Sequence, residues 1–156
     1  MNEIGFPART AIIRRAVARL CADLCWSALH EVRLPNGRRA DLLALRPDGG
    51  FVCIEIKSGE RDYLTDGKWP DYHDFADALY FAVDADFPVA LLPEHVGLII
   101  ATEDGAEVVR DAVSVALPPA RRRALMHRFA TLAADRLATL LDPAFAADRR
   151  CGARPE

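Results

Sequence analysis

The stretch FVCIEIKSGE (51–60) places two charged residues inside what is otherwise an apolar strand. Side chains alternate across a strand, so Glu55 and Lys57 share one face while Ile54 and Ile56 share the other. The two charged residues then lie about 7 Å apart along the backbone. Lysine is unusual here, because 18 of the 20 basic residues in the chain are arginine. A surface ion pair would explain both charges, but it would contribute only about 0–1 kcal/mol.

The segments before this strand predict a helix followed by two strands. A capping Thr10 and apolar residues at helical spacing predict a helix over about residues 8–25. SALHEVRL (27–34) alternates as a strand does, and RRADLLALR (38–46) follows it after a PNG turn. PDGG (47–50) then turns the chain into the strand 51–57. The chain therefore opens with the order helix, strand, strand, strand.

The segments after this strand complete an α/β fold with a mixed sheet. A polar loop precedes DYHDFADAL (71–79), which predicts a short helix, and YFAVDADF (80–87) and VGLIIAT (96–102) predict strands. The DG of TEDGAEVVRD predicts a hairpin into a last strand. Residues 118–142 predict a long amphipathic helix. The side chains expected on its inward face are Leu125, Phe129, Leu132, Leu137 and Leu140.

Length and hydropathy favour a single globular domain. The chain has 156 residues, about half of them hydrophobic, which suits one core. We expect one domain over residues 1–142 and a flexible tail over residues 143–156. No run of about 18 apolar residues is present, and arginines interrupt the apolar N-terminus, unlike a signal sequence. We therefore expect a cytoplasmic protein.

Charge is distributed unevenly along the chain. The net charge of −3 divides into +4 over residues 1–40, −10 over residues 41–105 and +3 over residues 106–156. A solvated acidic face would explain the middle segment. The alternative is a cation site between phosphate-binding surfaces, since a bound metal would offset the central carboxylates. The sequence contains no HExxH, GxSxG or GxxxxGK[ST] motif, which sets aside zincin, hydrolase-triad and P-loop chemistry.

The strand before FVCIEIK contributes a further acid, Asp41, whose orientation depends on hairpin register. A four-residue loop would place Asp41 opposite Ile56, on the wrong face. A three-residue loop would place it opposite Lys57, and a five-residue loop opposite Glu55. The glycines of PDGG make an odd loop easy to form. Two acids facing each other are unfavourable unless a cation lies between them, so an odd loop predicts a site for a hard divalent metal.

The pattern D-(x13)-E-I-K, on two adjacent strands after a helix and a first strand, resembles the PD-(D/E)XK nuclease superfamily. Its nearest resemblance is to the MmcB-like family of DNA repair proteins, over about Ala11 to Leu141. The segments that carry the resemblance are GRRADLLAL, FVCIEIKSGERDYLTDGKW and DYHDFADALYFAV. Ala40 stands where the superfamily name has proline. The resemblance implies a restriction-endonuclease-like αβββαβ core with a mixed central sheet flanked by helices, followed by the C-terminal amphipathic helix.

The resemblance also implies a function, a metal and a set of site residues. The expected function is a divalent-metal-dependent endonuclease of DNA repair. Asp41 and Glu55 would bind Mg²⁺ or Mn²⁺, with the Ile56 carbonyl as a backbone ligand. Lys57 would orient or deprotonate the attacking water, and lysine suits this role because its pKa can fall near a metal. The two further candidates for the site are Glu31 and Lys68, for which an exposed strand residue and a solvated loop lysine are the respective alternatives.

We expect DNA as the partner, contacted through arginines and aromatic rings. Phosphates favour basic side chains, and unpaired bases stack on aromatic ones. The candidates for DNA contact are Arg38, Arg39, Trp69, Tyr72, Arg121 and Arg122. For the arginines of the last helix, a solvated outer face is the alternative, and for the aromatic residues it is core packing. A chain of this size offers few phosphate contacts, which favours a homodimer or a repair-protein partner.

Two other functions compete with the nuclease. The first is a DNA-binding or scaffolding module that keeps the nuclease fold without catalysis. The second is a protein-interaction domain in which Glu55 and Lys57 form a surface ion pair. The second alternative predicts that Asp41 lies far from Glu55, so the register of one hairpin tests it.

Overall fold

The computed structural model describes residues 6–144, and side chains from residue 8 onward. The chain divides into two compact units between Leu117 and Pro118. The predicted limits of a single domain, residues 1–142 with a tail over 143–156, stay a prediction, and residues 145–156 of that tail lie outside the described part. None of the helices in the described part has both the length and the apolar composition needed to cross a membrane.

From residue 6 onward, the first unit contains one long helix, six strands and three short helical segments. Its regular elements are α1 (Phe6–Asp23), β1 (Ser27–Arg33), β2 (Arg39–Leu45), β3 (Phe51–Lys57), α2 (Glu60–Thr65), β4 (Ala78–Asp84), β5 (Gly97–Ala101) and β6 (Ala106–Arg110). The 3₁₀ helices are Trp69–Phe75 and Val89–Leu91. The predicted opening of a helix and three strands is confirmed.

The six strands form one mixed sheet in the order β1-β2-β3-β4-β5-β6. The central strand β3 pairs parallel with β4, and β4 pairs parallel with β5. The other neighbours pair antiparallel. All seven residues of β3 are buried, as expected for a strand with both faces covered, and this explains its nearly continuous apolar sequence. The predicted α/β class with a mixed sheet is confirmed.

Helix α1 covers one face of the sheet. Ile13 and Val17, one helical turn apart, are buried in one core cluster with Ile54 and Ile56 of β3 and Tyr80 of β4. Side-chain alternation places the charged residues of β3 on the other face. Against that other face lies the covering segment, residues 60–75, because α2 contacts β3, and the Trp69–Phe75 3₁₀ helix contacts β3 and β4. The charged residues therefore lie between the sheet and the covering segment.

The β2–β3 hairpin adopts the five-residue loop. Leu45 lies opposite Phe51, so residues 46–50 form the connection. The Arg46 N–H donates to the Gly50 carbonyl (2.8 Å), and the Gly49 N–H donates to the Arg46 carbonyl (3.0 Å). Gly49 has a φ of +82°, a left-handed conformation that glycine adopts without steric cost. The β2–β3 register pairs Leu42 with Ile54, and one further step places Asp41 opposite Glu55. The five-residue loop therefore puts both acids on the same face of the sheet.

The prediction for residues 71–87 is wrong in part. Instead of a helix over 71–79, the structure has the 3₁₀ helix Trp69–Phe75 and then β4, which begins at Ala78 and ends at Asp84. Extended backbone is already present at Ala76 (φ −144°, ψ 145°). The Asp77 N–H donates to the Phe51 carbonyl (2.8 Å), which starts the pairing of β4 with β3. This long-range bond decides the structure here, not local helix propensity. Helix α2 was not predicted, since its residues fall in the expected polar loop.

The second unit contains α3 (Pro119–Leu141). The predicted long helix is confirmed, but its inward stripe is shorter than expected. Leu125 and Phe129 are buried, whereas Leu137 and Leu140 are 56% and 80% exposed. Full burial in the described helix ends at Phe129: Leu132 is half-buried, and Leu137 and Leu140 face solvent. Helical spacing alone could not show where burial stops.

Candidate active site

A cleft of about 530 Å³ opens at the C-terminal end of β3. The residues that line it come from α1, β2, β3, the following turn and α2: Thr10, Asp41, Glu55, Ile56, Lys57, Ser58, Arg61, Asp62 and Thr65. The cleft therefore contains the four residues of the predicted D…EIK motif. It also contains several residues that the motif does not include.

Asp41 and Glu55 face each other across two hydrogen-bonded strands. The Asp41 backbone N–H donates to Glu55 Oε1 (3.1 Å), and the Ile56 backbone N–H donates to Asp41 Oδ2 (2.8 Å). Each carboxylate is thus held by the backbone of the opposite strand. Glu55 is only 4% exposed. The alternative of a protein-interaction domain required Asp41 to lie far from Glu55, and this geometry contradicts it.

Both carboxylates bind a proton more tightly than a solvated carboxylate would. Burial and the nearby charge of Asp41 raise the pKa of Glu55 to about 8. Burial also raises the pKa of Asp41, although the Ile56 N–H and the Lys57 charge act in the opposite direction. Because neither acid is fully compensated, the site favours either a bound proton or another cation. This imbalance is the main electrostatic feature of the cleft.

Lys57 is paired with an acid that lies outside the motif. Its side chain is 6% exposed, and its Nζ donates to Asp66 Oδ2 at 2.5 Å. Burial raises the pKa of Asp66, but the hydrogen bond and charge of Lys57 outweigh this effect, so the pKa lies below its usual value. The lysine is therefore held by Asp66 while it lines the cleft beside Glu55.

The turn after β3 is fixed by Asp62 of α2. Asp62 Oδ2 accepts a hydrogen bond from the Ser58 N–H (3.1 Å) and from the Ser58 hydroxyl (3.4 Å). Among the described residues, the Arg61 guanidinium on the same helix has no ion pair, although it lines the cleft. Helix α2 therefore fixes the turn and presents a cation to the cleft.

Glu31 lies one strand further from the cleft than Asp41. The β1–β2 register pairs His30 with Leu42 and Val32 with Ala40, so Glu31 corresponds in position to Asp41. Its carboxylate binds the Arg14 guanidinium (2.8 Å) and the Arg39 Nε (2.6 Å). Glu31 has a left-handed φ of 52°, uncommon for a residue other than glycine. Its charge raises the pKa of Asp41, but it does not line the cleft.

The other predicted site residues lie outside the cleft lining. Lys68 is exposed, and its backbone N–H donates to Asp66 Oδ1 (3.1 Å). The Arg38 guanidinium is held by Asp71 Oδ2 through Nε (2.9 Å) and Nη2 (2.7 Å). Arg121 and Arg122 belong to the first turn of α3, in the second unit.

The two predicted stacking residues differ in exposure. The Trp69 ring is partly exposed and packs edge-on against Phe81, with ring centroids 5.6 Å apart. Tyr72 is buried, and its hydroxyl donates to the Arg39 carbonyl (3.0 Å). Burial raises the pKa of the Tyr72 hydroxyl, which keeps its proton. The geometry of Tyr72 favours a structural role over base stacking.

Comparison with protein families identifies the chain. The model of the family described as DNA repair protein MmcB-like matches residues 2–144. The chain belongs to the MmcB-like family. The predicted family is therefore confirmed, together with a role in DNA repair at the level of the family.

A solved structure resembles this MmcB-like protein over most of its length. It is SPO1766, a protein of unknown function from Silicibacter pomeroyi, with 40% sequence identity and a TM-score of 0.82. The match covers 87% of this chain and 93% of that chain. A comparison with curated proteins finds no match. The fold is therefore shared with a solved relative, and the activity has to be argued from the site.

The two facing carboxylates of this MmcB-like protein suit a metal ion whose remaining ligands are water and substrate oxygens. Within residues 6–144, no three histidine, cysteine, aspartate or glutamate side chains form a metal-binding group. The two facing carboxylates are hard oxygen donors with uncompensated charge. Mg²⁺ is commonly held by one or two carboxylates, with water and substrate phosphates completing its coordination. Asp41 and Glu55 fit this pattern, whereas a site made entirely of protein side chains would need more ligands.

The motif did not identify every residue of the cleft. Arg61 and Asp62 lie in SGERD, directly after the EIK motif, so their closeness in sequence was the available signal. Asp66 lies four residues further along the same polar segment, but its contact with Lys57 depends on the path of the covering segment. Thr10 comes from α1 and reaches the cleft only through the tertiary fold.

Proposed function

We propose that this MmcB-like protein is a divalent-metal-dependent endonuclease of DNA repair, with a site of the PD-(D/E)XK type. The observation that carries the proposal is the facing pair of buried acids, Asp41 and Glu55, with Lys57 beside them in an open cleft. A purely structural pair of acids would be expected to bring its own positive partner. Here the lysine on the same strand is bound by Asp66 instead.

Asp41 and Glu55 would hold Mg²⁺ or Mn²⁺, with the Ile56 carbonyl as a third oxygen donor. When bound, the metal would stabilise negative charge on the phosphate and favour ionisation of the attacking water. The Ile56 N–H and the Asp41 N–H keep the two carboxylates in place before any metal arrives. Carboxylates that are already held in place need little reorganisation during the reaction. This preorganisation is the main source of electrostatic catalysis.

Lys57 would act next to the phosphate. An ammonium group is a compact charge that can hydrogen bond both to a water and to a phosphate oxygen. The lysine is 5% exposed, and it lines the cleft two residues after Glu55 on the same face of β3. We assign it the role of orienting the water and offsetting charge at phosphorus.

DNA is the proposed substrate because the family is one of DNA repair and because two basic side chains, Lys57 and Arg61, line the acidic cleft. Arg61 lines the cleft without an ion pair among the described residues, and it is suited to a phosphate oxygen. We also propose backbone contacts through Arg38, Arg39 and Lys68, and one stacked base on Trp69. Glu31, held by Arg14 and Arg39, would support Asp41 through the β1–β2 pairing.

A cleavage assay tests the proposal. Purified protein is incubated with single-stranded, nicked, branched and intact double-stranded DNA, with Mg²⁺, Mn²⁺ or EDTA. We expect cleavage that requires the metal and is lost in Lys57→Ala. Arg46→Ala is the matched control, because Arg46 lies in the hairpin loop at the other end of β3 and should leave cleavage unchanged.

Two results would reject catalysis. One is the absence of cleavage with every metal and DNA. The other is a Lys57→Ala variant that cuts as well as the parent. DNA binding measured in the same samples would then favour the alternative, a nuclease-fold module that binds DNA in repair without cutting it.

A further inference from the structure

We infer that Asp66 is a positioning residue that holds the Lys57 ammonium away from Asp41 and Glu55, so that these two carboxylates stay available to a divalent cation. The inference rests on the proposed metal site and assigns to Asp66 a role that the D…EIK motif does not contain. It concerns metal affinity, and it can be tested without any DNA.

The pairing of Lys57 is the first observation. Glu55 and Lys57 point to the same side of β3, about 7 Å apart along the backbone. A long lysine side chain could bend back to Glu55 from this distance. In the structure, however, Nζ lies 2.5 Å from Asp66 Oδ2, and within residues 6–144 no other carboxylate is within ion-pair distance of it.

The second observation is that Asp66 itself is held in place. Its Oδ1 accepts the Lys68 N–H (3.1 Å), while its own N–H donates to the Tyr63 carbonyl (3.1 Å). Both carboxylate oxygens are therefore occupied, one by the lysine and one by the backbone of the turn. Because both of its oxygens are bound, the Asp66 carboxylate holds the Lys57 ammonium group in one position.

The third observation is that the covering segment is anchored on both sides of Asp66. Tyr63, three residues before it, packs edge-on against the Phe81 ring with centroids 5.4 Å apart. Trp69, three residues after it, packs against the same ring at 5.6 Å. Phe81 is in register with Glu55 on the neighbouring strand. The anchors therefore fix Asp66 relative to the strand that carries Glu55 and Lys57.

The pairing of Lys57 with Asp66 affects how much negative charge remains on Asp41 and Glu55. If Asp66 were neutral, Lys57 would be attracted to the uncompensated charge of the Asp41–Glu55 pair, and an incoming cation would have to displace it. With Asp66 present, the lysine is neutralised near the cleft but outside the carboxylate pair. Asp66 thereby preserves the negative charge that a metal requires.

Calorimetric titration with Mn²⁺ tests the inference in a double-mutant cycle. The proteins are the parent, Asp66→Asn, Lys57→Met and the double variant. We expect Asp66→Asn to weaken Mn²⁺ binding about tenfold, because it releases the lysine toward the carboxylates. In the Lys57→Met background the same substitution should have less than about a third of that effect, because no lysine remains to compete. Asp66→Glu keeps a carboxylate and should recover part of the affinity.

The outcomes separate this inference from the proposed function. Equal weakening by Asp66→Asn with and without Lys57 would overturn it, since Asp66 would then act through its own charge. Unchanged affinity in Asp66→Asn, or no Mn²⁺ binding by the parent, would also overturn it. If the cycle behaves as expected in a protein that cuts no DNA, the nuclease proposal fails and the positioning role stands. Thermal unfolding of each variant identifies any loss of fold, and Asp66→Glu then provides the comparison.

Discussion

The two ends of β3 each place carboxylates in a buried environment, but with opposite results. At the N-terminal end, Asp77 is 4% exposed, and its two oxygens accept the Phe51 N–H (2.6 Å) and the Leu117 N–H (2.8 Å). At the C-terminal end, Asp41 and Glu55 face each other in an open cleft. One end joins backbone segments, whereas the other concentrates negative charge.

Burial therefore does not distinguish the proposed functional acids from a structural one in this protein. Asp77 is a single charge with two backbone donors, so its burial is compensated by hydrogen bonds. Asp41 and Glu55 are two adjacent charges, and the strands supply one backbone donor to each. The useful criterion for a metal-binding acid is the number of backbone N–H donors for each carboxylate charge. A pair of acids with too few donors needs a proton or a metal.

The largest effect should come from removing one acid of the pair. Asp41→Asn and Glu55→Gln should each lower metal-dependent DNA cleavage by about 10³-fold, because the site would lose a charged ligand to the metal. Cleavage rates at saturating Mn²⁺ measure this effect. If Glu55→Gln cuts DNA at the parental rate, the C-terminal end of β3 is not the catalytic end.

Asp77→Ala should affect stability instead of catalysis. The substitution leaves the buried N–H groups of Phe51 and Leu117 without their carboxylate, at a cost of about 1–3 kcal/mol for each. Urea denaturation should therefore show a clear loss of stability, while the cleavage rate per folded molecule stays at the parental value. If a stable Asp77→Ala protein loses cleavage, the contrast between a structural acid at one end of β3 and catalytic acids at the other is wrong.

The pH dependence of stability should report on the C-terminal end. Burial and Asp41 raise the pKa of Glu55 from its ordinary value of 4.5 to about 8, so between these values the folded protein keeps a proton that the unfolded chain has released. The free energy of unfolding of the metal-free protein should then fall as pH rises through this window, by up to about 1.4 kcal/mol per pH unit. Denaturation at pH 5, 6, 7 and 8 measures the slope.

Two controls test the origin of this slope. Glu55→Gln should remove most of it, because glutamine does not titrate. Mn²⁺ should stabilise the protein more at pH 8 than at pH 6, because metal and proton compete for the same carboxylates. A slope that is equally steep in Glu55→Gln would assign the titration to other groups.

The smallest expected effect concerns DNA binding by arginines near each end of β3. Arg61 lines the cleft, whereas Arg46 lies in the hairpin loop and pairs with Asp48 (3.2 Å). Arg61→Ala should weaken DNA binding a few-fold and reduce the slope of log affinity against log salt by about one. Arg46→Ala should change neither quantity. Fluorescence anisotropy over a salt series would show whether the cleft end alone contacts phosphate.

Most of the sheet and the central part of the site could be predicted from the sequence. Alternation and turn residues located the first three strands, and the D…EIK spacing selected Asp41, Glu55 and Lys57. The sequence could not decide between loop lengths, because the glycines of PDGG permit several. That choice is made by the register of β2 on β3, in which Leu45 meets Phe51.

The remaining errors involve contacts between residues distant in the chain. Residues 71–79 contain good helix formers, but Asp77 pairs with Phe51, 26 residues earlier, and the chain becomes strand. The partner of Lys57 could not be predicted either, because Asp66 reaches it only when the covering segment is anchored at Phe81. Spacing rules describe one element at a time, and these contacts join several.

The left-handed Glu31 also affects how readily the β1 edge of this sheet can pair with another molecule. β1 forms one edge of the sheet, and a regular edge strand can pair with a strand of another molecule. The φ of 52° at Glu31 interrupts the even spacing of backbone groups along that edge, and the residue adds a charge held between Arg14 and Arg39. An irregular, charged edge is a poor template for intermolecular pairing. Replacing Glu31 with a β-branched apolar residue would therefore be expected to increase self-association.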